Sequence, residues 1–248
     1  ALHDCDDALC AWLDLPPQTN EVARSAILMA GLMALSAESG LPVRLYELGA
    51  SAGLNLVPDK YGYKFGQLET GAPDARLVLT PEWSGPSPPD AAVSVVGRRG
   101  VDLNPLDVTK ADDRARMMAY VWADQSERLQ RMEAAIETAR AEPPKLDQGD
   151  AAEWLARQLA QSPGEGVCRV VMHSIAFQYF SPDTRNKIAS LMSETGANAG
   201  ARTPLAWLRF EFDDSSSRKT SLCATLWPGG AEHLLARSDP HVREVKWF

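Results

Sequence analysis

The sequence has no Cys-x-x-Cys pair, no histidine at zinc-ligand spacing from a cysteine, and no run of Lys and Arg longer than Arg98-Arg99. Four cysteines, at positions 5, 10, 168 and 223, suggest neither a disulfide framework nor a metal site; a reducing, cytoplasmic setting is expected. The missing basic cluster, with a formal net charge of -8, argues against a nucleic-acid partner held through its phosphates. Long hydrophobic runs are missing too. The longest mostly apolar stretch, Ala26 to Ala37, contains Gly31 and Ser36 and falls short of the roughly 20 residues a membrane span needs, so no membrane partner is expected. The chain opens without Met on a polar segment, Ala1 to Asp7, from which no signal peptide is expected.

What is present, at 45% hydrophobic over 248 residues, is enough apolar material for a substantial core. Thr19 and Asn20 are candidate N-caps for a helix that is apolar nearly all round and reaches Ser39, where Gly40 and Pro42 stop it. Val43 to Leu48 follows as a short strand without polar alternation, as in the middle of a parallel sheet. Tyr61, Tyr63 and Phe65 share one face of a small strand, and a Pro- and Gly-rich loop follows, so 57–91 reads as an insertion. The sheet resumes at Ala92 to Val96, and the polar "GRRGVDLNPLDV" after it reads as too irregular for a strand throughout.

From Ala111 to Arg140 apolar residues recur at helical spacing, as one long helix or two consecutive ones, with Trp122 on the apolar stripe. Asp150 and Glu153 form a capping box for a helix through Leu159, Val167 to Met172 is another apolar strand, and Ser181-Pro182 opens a further helix to about Glu194. Strands are expected at 204–212, 219–227, 232–236 and 242–247. Helix–strand alternation with a strand-rich end predicts one α/β domain over 1–248, with 1–41 as an N-terminal helical segment.

The stretch "ELGASAGLN", residues 47–55, carries the chemistry. Read as Gly49-x-Ser51-x-Gly53 it matches the nucleophile elbow of a serine hydrolase, with Asp213 or Asp239 and His233 or His241 as later partners. Read with Glu47, it is a strand ending in an acid, followed by a turn of the small residues Gly49, Ala50, Ser51, Ala52 and Gly53 that admits a nucleotide to the backbone. Two more acids fit the second reading: Asp102, to accept from ribose hydroxyls, and Asp150, to face an adenine amino group. Glu69, 22 residues downstream of Glu47, is an alternative for the ribose.

Glu47, Gly49 and Gly53, with Ser51 where a middle glycine would stand, then Asp102, then Gly149-Asp150-Ala151, then the strand from Val170 to His173, resemble in order the four motifs of class I S-adenosylmethionine-dependent methyltransferases. More closely, "YELGASAGLNL", "GVDLNPLDV", "AYVWADQSERL" and "VVMHSIAFQYF" resemble the bacterial domain-of-unknown-function 2332 family over nearly the whole chain. The resemblance implies a Rossmann-like methyltransferase-type α/β sheet in 42–248, mostly parallel with an antiparallel C-terminal edge and helices on both faces. It implies S-adenosylmethionine as cofactor, held by Glu47, Gly49, Ala50, Ser51, Gly53 and Asn55, then by Asp102, Asp150 and Ala151. No D/N-P-P-Y/F follows the fourth strand, which disfavours methylation of base amino groups and points to a small-molecule acceptor.

His173 is the candidate general base and Tyr179 a second candidate catalytic residue, with Gln178, Tyr120, Trp122 and Asp124 as candidate lining of an acceptor pocket. Trp122 and the other aromatics read more readily as core, because Trp122 lies on the apolar stripe of its helix. A non-catalytic module that keeps the fold, and a nicotinamide-dependent enzyme, stand beside the methyltransferase and hydrolase readings.

Overall fold

The computed structural model describes residues 18, 20–162, 164–213 and 219–248. Helix α1 (Arg24–Ser39) is buried on nearly every side, as its uninterrupted apolar sequence requires. It ends as expected: Gly40 takes a left-handed conformation, φ 64°, and its N–H bonds the Ser36 carbonyl at 2.9 Å. Its start differs. Thr19 lies outside the described residues, and Asn20 is buried too early to cap. Instead the Glu21 carboxylate accepts the Ala23 N–H at 3.2 Å, so an acid just ahead of the helix satisfies one orphan donor and faces the positive end of the dipole.

Strand β1 (Val43–Leu48) is the middle of the five parallel strands β7-β6-β1-β8-β9 in a nine-stranded sheet. On one side lie β6 (Val95–Asp102) and then β7 (Lys145–Gln148); on the other lie β8 (Cys168–Ser174) and β9 (Leu205–Phe212), and all of these neighbours pair in parallel. Beyond β9 the strands β10 (Thr220–Trp227), β11 (Glu232–Ser238) and β12 (Glu244–Trp247) run antiparallel in turn. The sheet is thus mostly parallel with an antiparallel C-terminal edge. Side chains alternate across it into two cores. On one face α1 covers Leu45, Val170 and Leu208, while on the other α4 (Ala151–Leu159) and α5 (Pro182–Ala197) cover Tyr46, Val101 and Val171. The crossing of α1 is close: a Cβ on Gly31 would lie 2.7 Å from Leu208 Cδ1 and 3.1 Å from Leu222 Cδ2.

A 3-10 turn at Leu54–Leu56 leads into the insertion, which contains a second at Pro58–Lys60 and a small sheet of β2 (Gly62–Phe65), β3 (Leu68–Gly71) and β4 (Val78–Leu79). Tyr61, Tyr63 and Phe65 are buried together, as their period-two spacing predicts. Its last strand, β5 (Glu82–Ser84), pairs with β12 at the far edge of the main sheet. Rings mark the join: Phe65 and Trp83 have centroids 4.9 Å apart, and Trp83 and Trp247 5.8 Å.

Three expectations are corrected. The strand expected at 92–96 begins only at Val95 and runs through the polar stretch to Asp102. Its arginines are matched to acids, Arg98 to Asp59 at 2.6 and 2.8 Å and Arg99 to Asp147 at 2.8 Å, so a polar strand is stable near the sheet edge. The helical stretch from residue 111 takes the second of its two expected forms, two helices, α2 (Ala111–Ala119) and α3 (Ser126–Ala141), but Trp122 is not on an apolar stripe: it lies in the joint between them, 73% exposed and outside the core. Glu69 lies on β3, exposed and paired with Lys64 at 2.9 Å, away from the end of β1.

Gly31→Leu is expected to destabilise the protein by about 1–3 kcal/mol through overpacking against β9 and β10, read as a lower urea midpoint with an unchanged slope.

Candidate functional site

The chain leaves β1 toward β6, whereas β8, on the opposite side of β1, leads on to β9. The carboxyl edge between β1 and β8 is therefore where the order of the parallel strands reverses, the place where open α/β sheets leave a crevice. Three residues of the turn that closes β1 are left-handed: Gly49 at φ 69°, Ser51 at 50° and Gly53 at 70°. The two glycines are required by neighbouring chain, since a Cβ would lie 2.8 Å from Ala176 at Gly49 and 2.8 Å from Pro144 at Gly53. The N–H groups of Gly49 and Ala50 both donate to the Val101 carbonyl, at 2.9 and 3.0 Å.

Ser51 has no glycine's freedom and is held in place by Asp102, whose Oδ2 accepts the Ser51 N–H at 2.8 Å. Asp102 Oδ1 accepts from the Asn104 N–H at 2.9 Å, an Asx turn, and from Gln18 Nε2 at 3.0 Å. Of the carboxylate's roughly four acceptor positions, one on Oδ2 remains. Asn55 braces the turn against α1, accepting from Ser25 Oγ at 2.7 Å.

Glu47 ends β1 on the α1 face, 3% exposed, and its Oε2 is sealed without a hydrogen-bond partner; the Ser51 Oγ is likewise sealed and unpartnered. Burial pushes the Glu47 carboxyl well above the usual range and the Asp102 charge pushes it further, against a smaller pull from Arg24. Arg24, the first residue of α1, is itself buried. Its Nε donates to the Pro240 carbonyl and its Nη1 to the Ser174 carbonyl at the end of β8, both at 3.1 Å. Glu21 is also buried. Burial raises its pKa, but the bond to His241, the Arg128 charge and the Ala23 N–H together hold it below the ordinary value. A cavity of about 450 Å3 opens beside it, lined by Arg128, Arg131, His241 and Asp124 among others.

Arg24 and Glu21 were not singled out from the sequence. The available signal was two charged residues at the mouth of a helix that carries no further charge until Glu38, an arrangement that requires a polar place at that end. Asp150 caps α4 as its capping box predicts, with Oδ1 accepting from Ala152 N at 2.9 Å and Glu153 N at 3.0 Å, while Oδ2 accepts from Thr184 Oγ1. The Gly149 N–H donates to the Asp102 carbonyl at 3.0 Å, so the structure brings the ends of β6 and β7 together. Ala151 is buried beneath that junction.

His173 has a different place from that expected of a base. It is fully buried, with Nδ1 2.6 Å from Glu211 Oε1 and Nε2 accepting from the Trp207 indole at 3.1 Å. The indole can only donate, so Nε2 is unprotonated and the ring proton lies on Nδ1 toward Glu211. Both nitrogens are engaged, and none faces the crevice in this arrangement. Glu211 Oε1 also accepts the N–H groups of Ala176 and Phe177, at 3.1 and 3.3 Å, so this pair fixes the loop that packs on Gly49. Tyr179, on the 3-10 turn Phe177–Tyr179, is 80% exposed and within the electrostatic reach of Arg24.

Among the described residues no group of three or more His, Cys, Asp or Glu could hold a metal ion, and no helix is long and apolar enough to cross a membrane. Cys168 is buried, and its thiol is pushed up to about 12 by desolvation, which makes it a core residue and no nucleophile. A family model described as an uncharacterized protein conserved in bacteria, DUF2332, matches residues 1–247. The chain belongs to the DUF2332 family. No curated protein matches it. In this member of DUF2332, two of the buried polar atoms without partners, Glu47 Oε2 and Ser51 Oγ, lie within five residues of each other at the end of β1 and in the turn that follows.

Glu47 gives the site a pH signature. Its folded-state pKa is raised, so between the unfolded value near 4.5 and the folded value the folded state holds a proton that the unfolded state has lost, and stability falls as pH rises through that window. Glu47→Gln is expected to remove this loss: the variant is more stable than the parent at pH 8, and the gap closes toward pH 5 with a slope of up to about 1.4 kcal/mol per pH unit, read by denaturant titration across pH.

Proposed function

We propose that the crevice between β1 and β8 binds S-adenosylmethionine and that the protein transfers the methyl group to a small-molecule acceptor. The observation that carries this reading is the pair of sealed, unpartnered polar atoms, Glu47 Oε2 near the end of β1 and Ser51 Oγ on the left-handed turn that follows, where the order of parallel strands reverses. Most buried polar atoms find partners, and although six others in the described residues also lack one, these two lie at the strand end where open α/β sheets receive ligands, a place that a polar ligand explains. The order β7-β6-β1-β8-β9 supports a Rossmann-like reading of the parallel block.

In this reading Glu47, Gly49 and Ser51 line the amino-acid end of the cofactor, Ala50, Gly53 and Asn55 shape the turn beneath it, and Asp102 meets the ribose. The hydroxyls use the open position on Oδ2 or replace the Gln18 amide on Oδ1. Asp150 and Ala151, beside the end of β6, lie toward the adenine. The cofactor supplies an activated methyl on a sulfonium; the protein's part is to hold donor and acceptor in line and to exclude water. The cavity beside Glu21 and the exposed Tyr179 and Trp122 are the surfaces offered to an acceptor.

A second reading keeps the binding and drops the reaction, and the engagement of both His173 nitrogens favours it. The hydrolase reading has less support, because Ser51 Oγ meets no histidine.

Calorimetry with S-adenosylmethionine and S-adenosylhomocysteine is expected to show saturable binding, and Asp102→Ala to weaken it by about 10- to 100-fold, the worth of one or two hydrogen bonds to a charged group. No heat at millimolar ligand would overturn the cofactor reading. Turnover of any acceptor would overturn the non-catalytic one.

A further inference from the structure

Arg24 is the buried charge at the crevice that still lacks a task. Three carboxylates lie within its electrostatic reach, Glu21, Glu211 and Glu47, and none forms an ion pair with it. Glu21 is taken by Arg128 at 2.8 Å and His241 at 3.1 Å, and Glu211 by His173 and two main-chain N–H groups. Glu47 bonds to nothing through Oε2. Two of the five guanidinium N–H bonds reach main-chain carbonyls, and the other three have no acceptor among the described residues. A buried guanidinium kept from direct contact with the acids around it is costly unless something else completes it.

The same contacts show how its direction is fixed. The Nε donates to Pro240 in the loop between β11 and β12, and that loop is itself locked. Asp239 accepts the N–H groups of His241 at 3.0 Å, Arg243 at 2.8 Å and Glu244 at 3.2 Å. The Nη1 donates to the last carbonyl of β8, beside the strand that ends in Glu47. One buried cation and one buried acid thus lie at the same carboxyl edge, at the ends of β8 and β1, without forming an ion pair. A group that carries both charges, a few bonds apart, satisfies the two at once.

We infer that Arg24 is the carboxylate anchor of this crevice, so that its ligand carries an α-amino-acid head group, carboxylate on Arg24 and ammonium on Glu47. The planar guanidinium matches a carboxylate through paired N–H bonds, which an ammonium side chain does not reproduce. Arg24 is then a specificity residue, and the loop at Asp239–Arg243 is its positioning element, brought from near the C-terminus to a site built around β1. This rests on the cofactor reading, and it adds a demand that reading lacks: a nucleoside alone is a poor ligand.

The test is calorimetry with three ligands: S-adenosylhomocysteine, its decarboxylated analogue, which keeps the ammonium, and 5′-methylthioadenosine, which lacks the whole head group. The expected result is that loss of the carboxylate alone weakens binding by about 10- to 100-fold. Arg24→Met brings S-adenosylhomocysteine to the level of its decarboxylated analogue while leaving 5′-methylthioadenosine unchanged, and Arg24→Lys restores part of the difference. Equal binding of all three ligands by the unmodified protein overturns the anchor and leaves the cofactor reading standing, as does an Arg24→Met variant that weakens all three alike. Binding of none overturns the cofactor reading and the anchor with it. The comparison among ligands on the unmodified protein decides the matter even where Arg24→Met fails to fold.

Discussion

The carboxylate of Asp102 gathers the carboxyl edge of the sheet. It accepts from the turn after β1 through Ser51, from the loop after β6 through Asn104, and from the segment ahead of α1 through Gln18, while its own carbonyl receives the Gly149 N–H at the end of β7. Four pieces of chain far apart in sequence meet at one residue. The left-handed Ser51 depends on this hold, because a serine at φ 50° needs its N–H directed at a fixed acceptor. The place of Ser51 decides in turn where Glu47 and the two glycines present themselves.

Around that knot the charges are distributed unevenly. Arg98, Arg99 and Glu21 have partners of opposite sign in contact, as partly buried charges normally do. Glu47 and Arg24 do not. Other buried polar atoms also lack partners, among them Arg169 Nε on β8 and Arg209 Nε on β9, but Glu47 and Arg24 place one charge of each sign at the carboxyl edge of the parallel strands. His173, by contrast, is chemically suggestive in sequence and fully committed in structure, since Glu211 and Trp207 use both ring nitrogens to secure a loop.

Much of the architecture was legible because local rules and tertiary context agree there. Val43–Leu48 is uniformly apolar apart from its two charged positions and lies in the middle of the parallel block; Gly40 and Ser181-Pro182 mark helix ends by backbone chemistry alone; Asp150 caps where its spacing predicts. The strand β6 was hidden because its polar residues are satisfied by Asp59 and Asp147, acids distant in sequence, and β7 because it is short, half exposed and without periodicity. Trp122 looked like core by helical periodicity, but the helix breaks before it. Of the site, the turn and its acids were readable from spacing. The role of Arg24 was not, because it depends on a carbonyl at Pro240 that no local pattern connects to α1.

The pairing of β5 with β12 joins the middle of the chain to its last residues, and Trp83 against Trp247 seals the join. During synthesis the insertion leaves the ribosome long before its partner strand exists. Its aromatic face and the open edge of β5 must therefore wait, uncovered, until residues 244–247 emerge. Closure of so non-local a seam is slow relative to helix formation, and the interval is one in which an unpaired strand can find the wrong neighbour. Strand β12 thus covers the insertion's edge late in synthesis, and the cell meets this sheet first with an unpaired strand at β5.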